Sequence, residues 1–166
     1  MTEGHCIMED EIPRDGGLWP EYAYTWFLCV DGLEADIAAG TIRSFCVKEP
    51  VPFHGLDDLL LQLDRLLDET GQAGRWMELR HLTVRKADTD AHTEPPARRT
   101  PYYARQTLDT VRGELGTAVI RVFSRRNVSM QGEIRFLDRK GAEISFRSAL
   151  ELLQLLREWL ELKTRK

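Results

Sequence analysis

Two stretches of this chain carry one pattern. Thr25-Trp26-Phe27-Leu28-Cys29-Val30 falls on Thr117-Ala118-Val119-Ile120-Arg121-Val122, and both are β-rich runs. At the same offset Gly40-Thr41-Ile42-Arg43 falls on Gly132-Glu133-Ile134-Arg135, and after one extra residue in the second stretch Phe53 falls on Phe146. Leu59, Leu60, Leu63 and Leu67 then meet Leu152, Leu153, Leu156 and Leu160, while Asp58 and Asp68 meet Glu151 and Glu161. A single offset with a one-residue gap accounts for every match. We read the chain as two diverged copies of one short unit, which restricts its fold to arrangements that hold the same unit twice.

Each copy changes period along its length. Leu56, Leu59, Leu60, Leu63, Leu66 and Leu67 follow the spacing of one helical face, as do Ala149, Leu152, Leu153, Leu156, Trp159 and Leu160. Leu150 and Leu155 widen the second stripe, so that helix is expected to contact more than one surface. Ser148 and Glu151 form a capping box at its start, and Gly55 with Asp58 is the weaker equivalent in the first copy. Upstream the period is that of strands: about Tyr24–Asp31, Ile37–Cys46 and Val51–Phe53 in the first copy. In the second they are Val119 to Phe123, Val128 to Leu137 and Ala142 to Phe146, with turns at Arg125-Arg126-Asn127 and Asp138-Arg139-Lys140-Gly141. The unit is β-β-β-α.

A unit of some 45 residues is marginal alone, because its sheet face and helix stripe both stay greasy. Two copies can bury these surfaces together, as a homodimer would. The expected fold is therefore α+β: two tandem β-β-β-α repeats packed as a pseudo-symmetric pair, with antiparallel sheets covered by two amphipathic helices. Residues 1–86 hold the first repeat and an extra strand near Arg75 to Arg85. Residues 87–104 read as an exposed, proline-containing linker, and 105–166 as the second repeat. The pattern does not decide whether Arg105 to Leu115 is helix or strand.

Charge divides the two copies. Residues 1–68 hold 14 acidic and 4 basic residues, whereas 97–148 hold 11 basic and 5 acidic ones, inside a net charge of only −4. Such polarity signals either a basic binding surface or two halves that attract one another. The first residues, Met1-Thr2-Glu3-Gly4-His5, do not resemble a secretory leader, and no run approaches the roughly 18 apolar residues of a membrane span. Cys6, Cys29 and Cys46 form no CxxC pair, which suits reduced thiols in a cytoplasmic protein with no membrane partner.

Signatures of chemistry are missing. His5, His54, His81 and His92 are scattered, with no metal-ligand spacing among them. There is no G-x-S-x-G motif and no phosphate-binding loop, and Asp57-Asp58 is explained by favourable charge at a helix start. Neither catalytic residues nor a cofactor are expected. The candidate site is instead the basic stretch of the second copy: Arg121, Arg125, Arg126, Arg135, Arg139 and Lys140, with Arg147 close by. Phe123 and Phe136 interleave with it, and Tyr102-Tyr103 lie upstream. Cations and rings on an exposed sheet would neutralise phosphates and stack bases, as single-stranded nucleic-acid binding requires. If both phenylalanines point inward, the arginines are ordinary edge protection. The alternatives are an acidic protein partner, or an interaction module that self-associates through Leu150, Leu155 and Trp159.

The run from Val119 to Gly132, VIRVFSRRNVSMQG, followed by Phe146-Arg147-Ser148-Ala149-Leu150-Glu151-Leu152, resembles a family of small uncharacterised clostridial (Firmicutes) proteins with FxVRVxxRQNxxWQG and FRSxLEL motifs. Asp31-Gly32, Gly40-Thr41-Ile42 and Phe53-His54-Gly55-Leu56 are similar to that family's N-terminal half, so the likeness spans most of the chain. Met130 replaces its Trp and Arg126 its Gln. This resemblance implies no activity. In architecture the tandem units resemble the purine-rich-element-binding (PUR) repeat proteins, which implies single-stranded nucleic-acid binding on a curved sheet. Here each unit has three strands in place of four, and the first is acidic.

Overall fold

The run Thr25 to Val30 has no polar alternation, and a strand of that kind needs cover on both faces. In the computed structural model, which describes residues 21–74, 80, 82, 101–126, 129–141 and 143–165, it opens β1 (Thr25–Glu34), near the middle of a sheet. β2 (Ile37–Ser44), β3 (Val51–His54) and α1 (Leu56–Glu69) follow, then β4 (Gly116–Ser124), β5 (Gln131–Phe136), β6 (Ile144–Phe146) and α2 (Ala149–Thr164). The protein is mixed α+β, with one antiparallel six-stranded sheet in the order β3-β2-β1-β4-β5-β6 and two helices. The two expected strand triplets are thus joined into a single sheet, because β1 pairs with β4 from Thr25↔Arg121 to Val30↔Gly116.

Register recurs at an offset of 92 residues. Trp26↔Ser44 and Val30↔Gly40 have counterparts in Ala118↔Phe136 and Val122↔Gly132. The irregularity between Val30 and Gly32 returns between Val122 and Ser124. Beyond the extra residue, Gly40↔Phe53 matches Gly132↔Phe146. Both glycines are required by close approach: a Cβ on Gly40 would overlap the Cys29 carbonyl, and one on Gly132 the Arg121 carbonyl. Phe27 faces Val119, its own counterpart, across the central strand pair.

The helices bury the same stripe. Leu59, Leu63, Leu66 and Leu67 are covered in α1, and Leu152, Leu156, Trp159 and Leu160 in α2. In each helix one first-turn carboxylate accepts an amide hydrogen from the chain just before it. Asp58 Oδ2 takes the His54 N–H at 2.9 Å, and Glu151 Oε2 takes the Arg147 N–H at 2.7 Å. Ser148 Oγ accepts from the Glu151 amide at 3.1 Å, completing the expected cap. Gly55 begins α1 at φ 94°, where a side chain would be strained.

The core lies between the helices and one sheet face, built on Trp26, Leu28, Ile42, Phe53, Ile120, Ile134 and Phe146. Trp159 belongs to it, with its ring 4.9 Å from Phe136 and its indole N–H donating to Asp138 at 3.0 Å. Its place on the helical stripe suits this, and the self-association alternative, which needs Trp159 partly exposed, loses that residue: it is 2% exposed, whereas Leu150 on the same helix is 62% exposed. Burial pushes the Asp138 carboxyl up, but hydrogen bonds from Lys163 and Trp159 outweigh that and hold it below its ordinary value of 3.8.

The opposite face is covered by a part of the chain whose form the sequence pattern left undecided. Residues 105–115 make a short 3-10 turn, Arg105–Leu108, and then irregular chain. Leu108 packs on Phe27, Cys29 and Phe45, with Tyr22, Tyr103, Val111 and Val119 around them. Of the expected linker, residues 101–104 are described. Pro101 is buried and the Tyr102 N–H bonds the Phe45 carbonyl at 2.6 Å, so this end of it is docked. The extra strand near Arg75 to Arg85 lies outside the described residues except for Arg80 and Leu82, neither of which is in a strand. No described helix is long and apolar enough to cross a membrane.

Candidate nucleic-acid interface

Side chains alternate across a sheet, so the residues between the buried core positions of β1, β4 and β5 face away from the helices. Registration puts Arg43, Phe27, Val119 and Arg135 in one row across β2, β1, β4 and β5. With strands about 4.8 Å apart, that row spans roughly 14 Å and carries an arginine at each end. The neighbouring row places Thr25, Arg121 and Glu133 side by side.

Above these rows lies a cleft of about 280 Å³. Phe27, Phe45 and Val119 contribute its apolar lining. Arg121 and Arg135 enter from the strands, and Arg105 and Arg112 from the 105–115 segment. Asp109, Glu133 and Glu143 temper the charge without cancelling it. Arg112 is braced by its own segment, donating through Nη1 to the carbonyls of Asp109 (2.8 Å) and Val111 (2.7 Å). In the same region Arg43 Nε is a buried donor with no acceptor among the described residues, a costly condition for a polar group.

The six arginine and lysine candidates are separated by the fold. Arg121 and Arg135 line the cleft. Arg126, Arg139 and Lys140 are exposed on turns outside it, and Arg147 is exposed and tied to Glu151 at 2.9 Å. Arg125 does not belong to the surface at all, and its expected role there is corrected. It is 3% exposed, and its guanidinium reaches Asp64 (3.1 Å) and Asp68 (2.7 Å) on α1. It also donates to the carbonyls of Ala73 (2.7 Å) and Gln72 (3.1 Å). Part of the charge polarity between the halves is thus attraction within the molecule. The two phenylalanines likewise divide, with Phe136 buried and Phe123 59% exposed.

Arg43, Arg105 and Arg112 were missed. Arg43 had a signal, since it is the counterpart of Arg135 in the repeat pattern. Arg105 and Arg112 had none, because only tertiary folding lays their segment over the sheet. Cys29, also on this face, is buried, and that burial pushes its thiol up, while Arg43 and a hydrogen bond with Thr117 oppose the shift only in part. Among the described residues no His, Cys, Asp and Glu side chains gather as a metal site. The chain matches no family model, no curated protein and no solved structure.

Proposed function

We propose that this is a non-catalytic binding protein, built from two diverged copies of one β-β-β-α unit, that holds single-stranded nucleic acid on its helix-free sheet face. The duplication is supported by the recurrence of register, bulge and close-packed glycine at one offset and of the buried helix positions one residue beyond it. The observation that carries the binding reading is the convergence of Arg105 and Arg112 from the 105–115 segment, Arg121 from β4 and Arg135 from β5 on one cleft with an apolar aromatic lining. Arginines over such a lining suit phosphates with an unstacked base between them, and a cleft this narrow favours a single strand over a duplex. Exposed Phe123, with Arg126 on the turn that follows, offers a second stacking point as β4 ends.

Fluorescence anisotropy with a labelled 12-nucleotide oligo-dT, from 50 to 200 mM salt, tests this. Binding should weaken with salt, and R121A/R135A should flatten the log–log slope by about 1.4, at roughly 0.7 for each phosphate no longer neutralised. R125A should leave the slope unchanged wherever the protein remains folded. Absence of binding at 50 mM salt, or equal binding of a 12-base-pair duplex, would remove the reading. Competition by hexaglutamate as strong as that by oligo-dT would replace nucleic acid with an acidic protein partner.

A further inference from the structure

A second, larger groove of about 730 Å³ lies between the start of α1 and the C-terminal half of α2. Leu33, Ile37, Leu56, Leu153 and Leu160 supply its apolar walls. The same molecule contains the matching place, between the start of α2 and the C-terminal half of α1, and there the space is filled. At the repeat offsets Arg125 stands for Leu33, Met130 for Ala38, and Asp64 and Asp68 for Arg157 and Glu161. The buried Arg125 runs to the two α1 carboxylates, and Met130 is buried against the core. Where the shorter Leu33 and Ala38 replace them, no described residue fills the groove.

Its charge says what suits it. Asp36, Asp57 and Glu161 line the groove against Arg157 and the exposed His54. Arg157 is already bonded to Glu161 at 3.1 Å, which leaves Asp36 and Asp57 as the acids facing an incoming group. The negative end of the α2 dipole at Thr164 and the positive end of the α1 dipole at Gly55 both open on the groove and oppose one another, so the two aspartates set its sign. We infer that this groove docks a segment of a partner protein that presents an arginine or lysine between apolar side chains, taking the place that Arg125 occupies in the filled counterpart. The occupant is basic, so this surface and the arginine cleft recruit ligands of opposite charge.

The test is a ¹⁵N-amide NMR titration of the full chain with the peptide acetyl-Leu-Arg-Leu-amide, beside acetyl-Leu-Gln-Leu-amide and acetyl-Leu-Glu-Leu-amide. Saturable shifts are expected at Leu33, Gly55, Asp57 and Leu160 with the arginine peptide, and at least tenfold weaker binding of the other two. The double change Leu33→Arg and Ala38→Met copies the filled side and should abolish these shifts. The exposed pair Asp36→Asn and Asp57→Asn, which leaves the core untouched, should weaken binding about tenfold and leave oligo-dT binding unchanged. No saturable shift by 10 mM peptide, equal binding of the glutamate peptide, or undiminished binding by the Asp36→Asn/Asp57→Asn protein would overturn the inference.

Discussion

Replacing Arg125 with alanine is expected to destabilise the fold by about 3 kcal/mol, since removing one member of a buried ion pair strands its partners. The guanidinium is 3% exposed and serves five groups: the carboxylates of Asp64 and Asp68 and the carbonyls of Asp64, Gln72 and Ala73. Asp64 and Asp68 keep some contact with water, which places the cost at the lower end of the range for such pairs. In a domain of this size the melting temperature should fall by about 6–12 °C. R125K keeps a charge but not the planar fork, so it should recover only part of the loss. Urea denaturation measures both, and a change under 0.5 kcal/mol for R125A would show that the cross-brace between β4 and α1 contributes nothing.

Trp159→Ala should cost about 4 kcal/mol, within the range for truncating a buried aromatic side chain. The ring is buried against Phe136, lies close over Gly116, and donates to Asp138. Trp159→Phe keeps the ring packing and removes the hydrogen bond, so about 1–2 kcal/mol should go. The acid limb gives a second readout. Asp138 has a lowered pKa in the folded protein, so its contribution is present above its ordinary value of 3.8 and is lost as pH falls through the lowered one. Without the indole donor that value rises toward 3.8, and the stability lost below pH 4 should shrink. A W159F protein with an unchanged acid limb would mean that Lys163 alone holds the carboxylate.

Much of the fold was legible in the order of residue types. Both helices lie within three or four residues of their expected ends, because a 3.6-residue stripe and a first-turn carboxylate are local signals. The strands were found too, though β5 begins at Gln131 and not at Val128. The site was less legible. Arg121 and Arg125 read alike as surface cations, yet one lines a cleft and the other closes the gap between α1 and the sheet. Burial of a charge depends on whether partners wait for it, and those of Arg125 lie more than 50 residues away.

The order of residue types by itself determined two runs of three strands and a helix and most of the positions that enter the core. These follow from period and caps, which are local signals. Tertiary structure alone decided that the six strands share a single sheet, that the 105–115 segment covers the face away from the helices, and that one inter-helix groove is filled by Arg125 while no described residue fills the other. The physical reason is that strand pairing and helix packing follow the order of residue types, whereas the filling of a gap depends on single side chains. Leu33 and Arg125 stand 92 residues apart at matching positions of the pattern, and their unequal length and charge make the two inter-helix gaps differ.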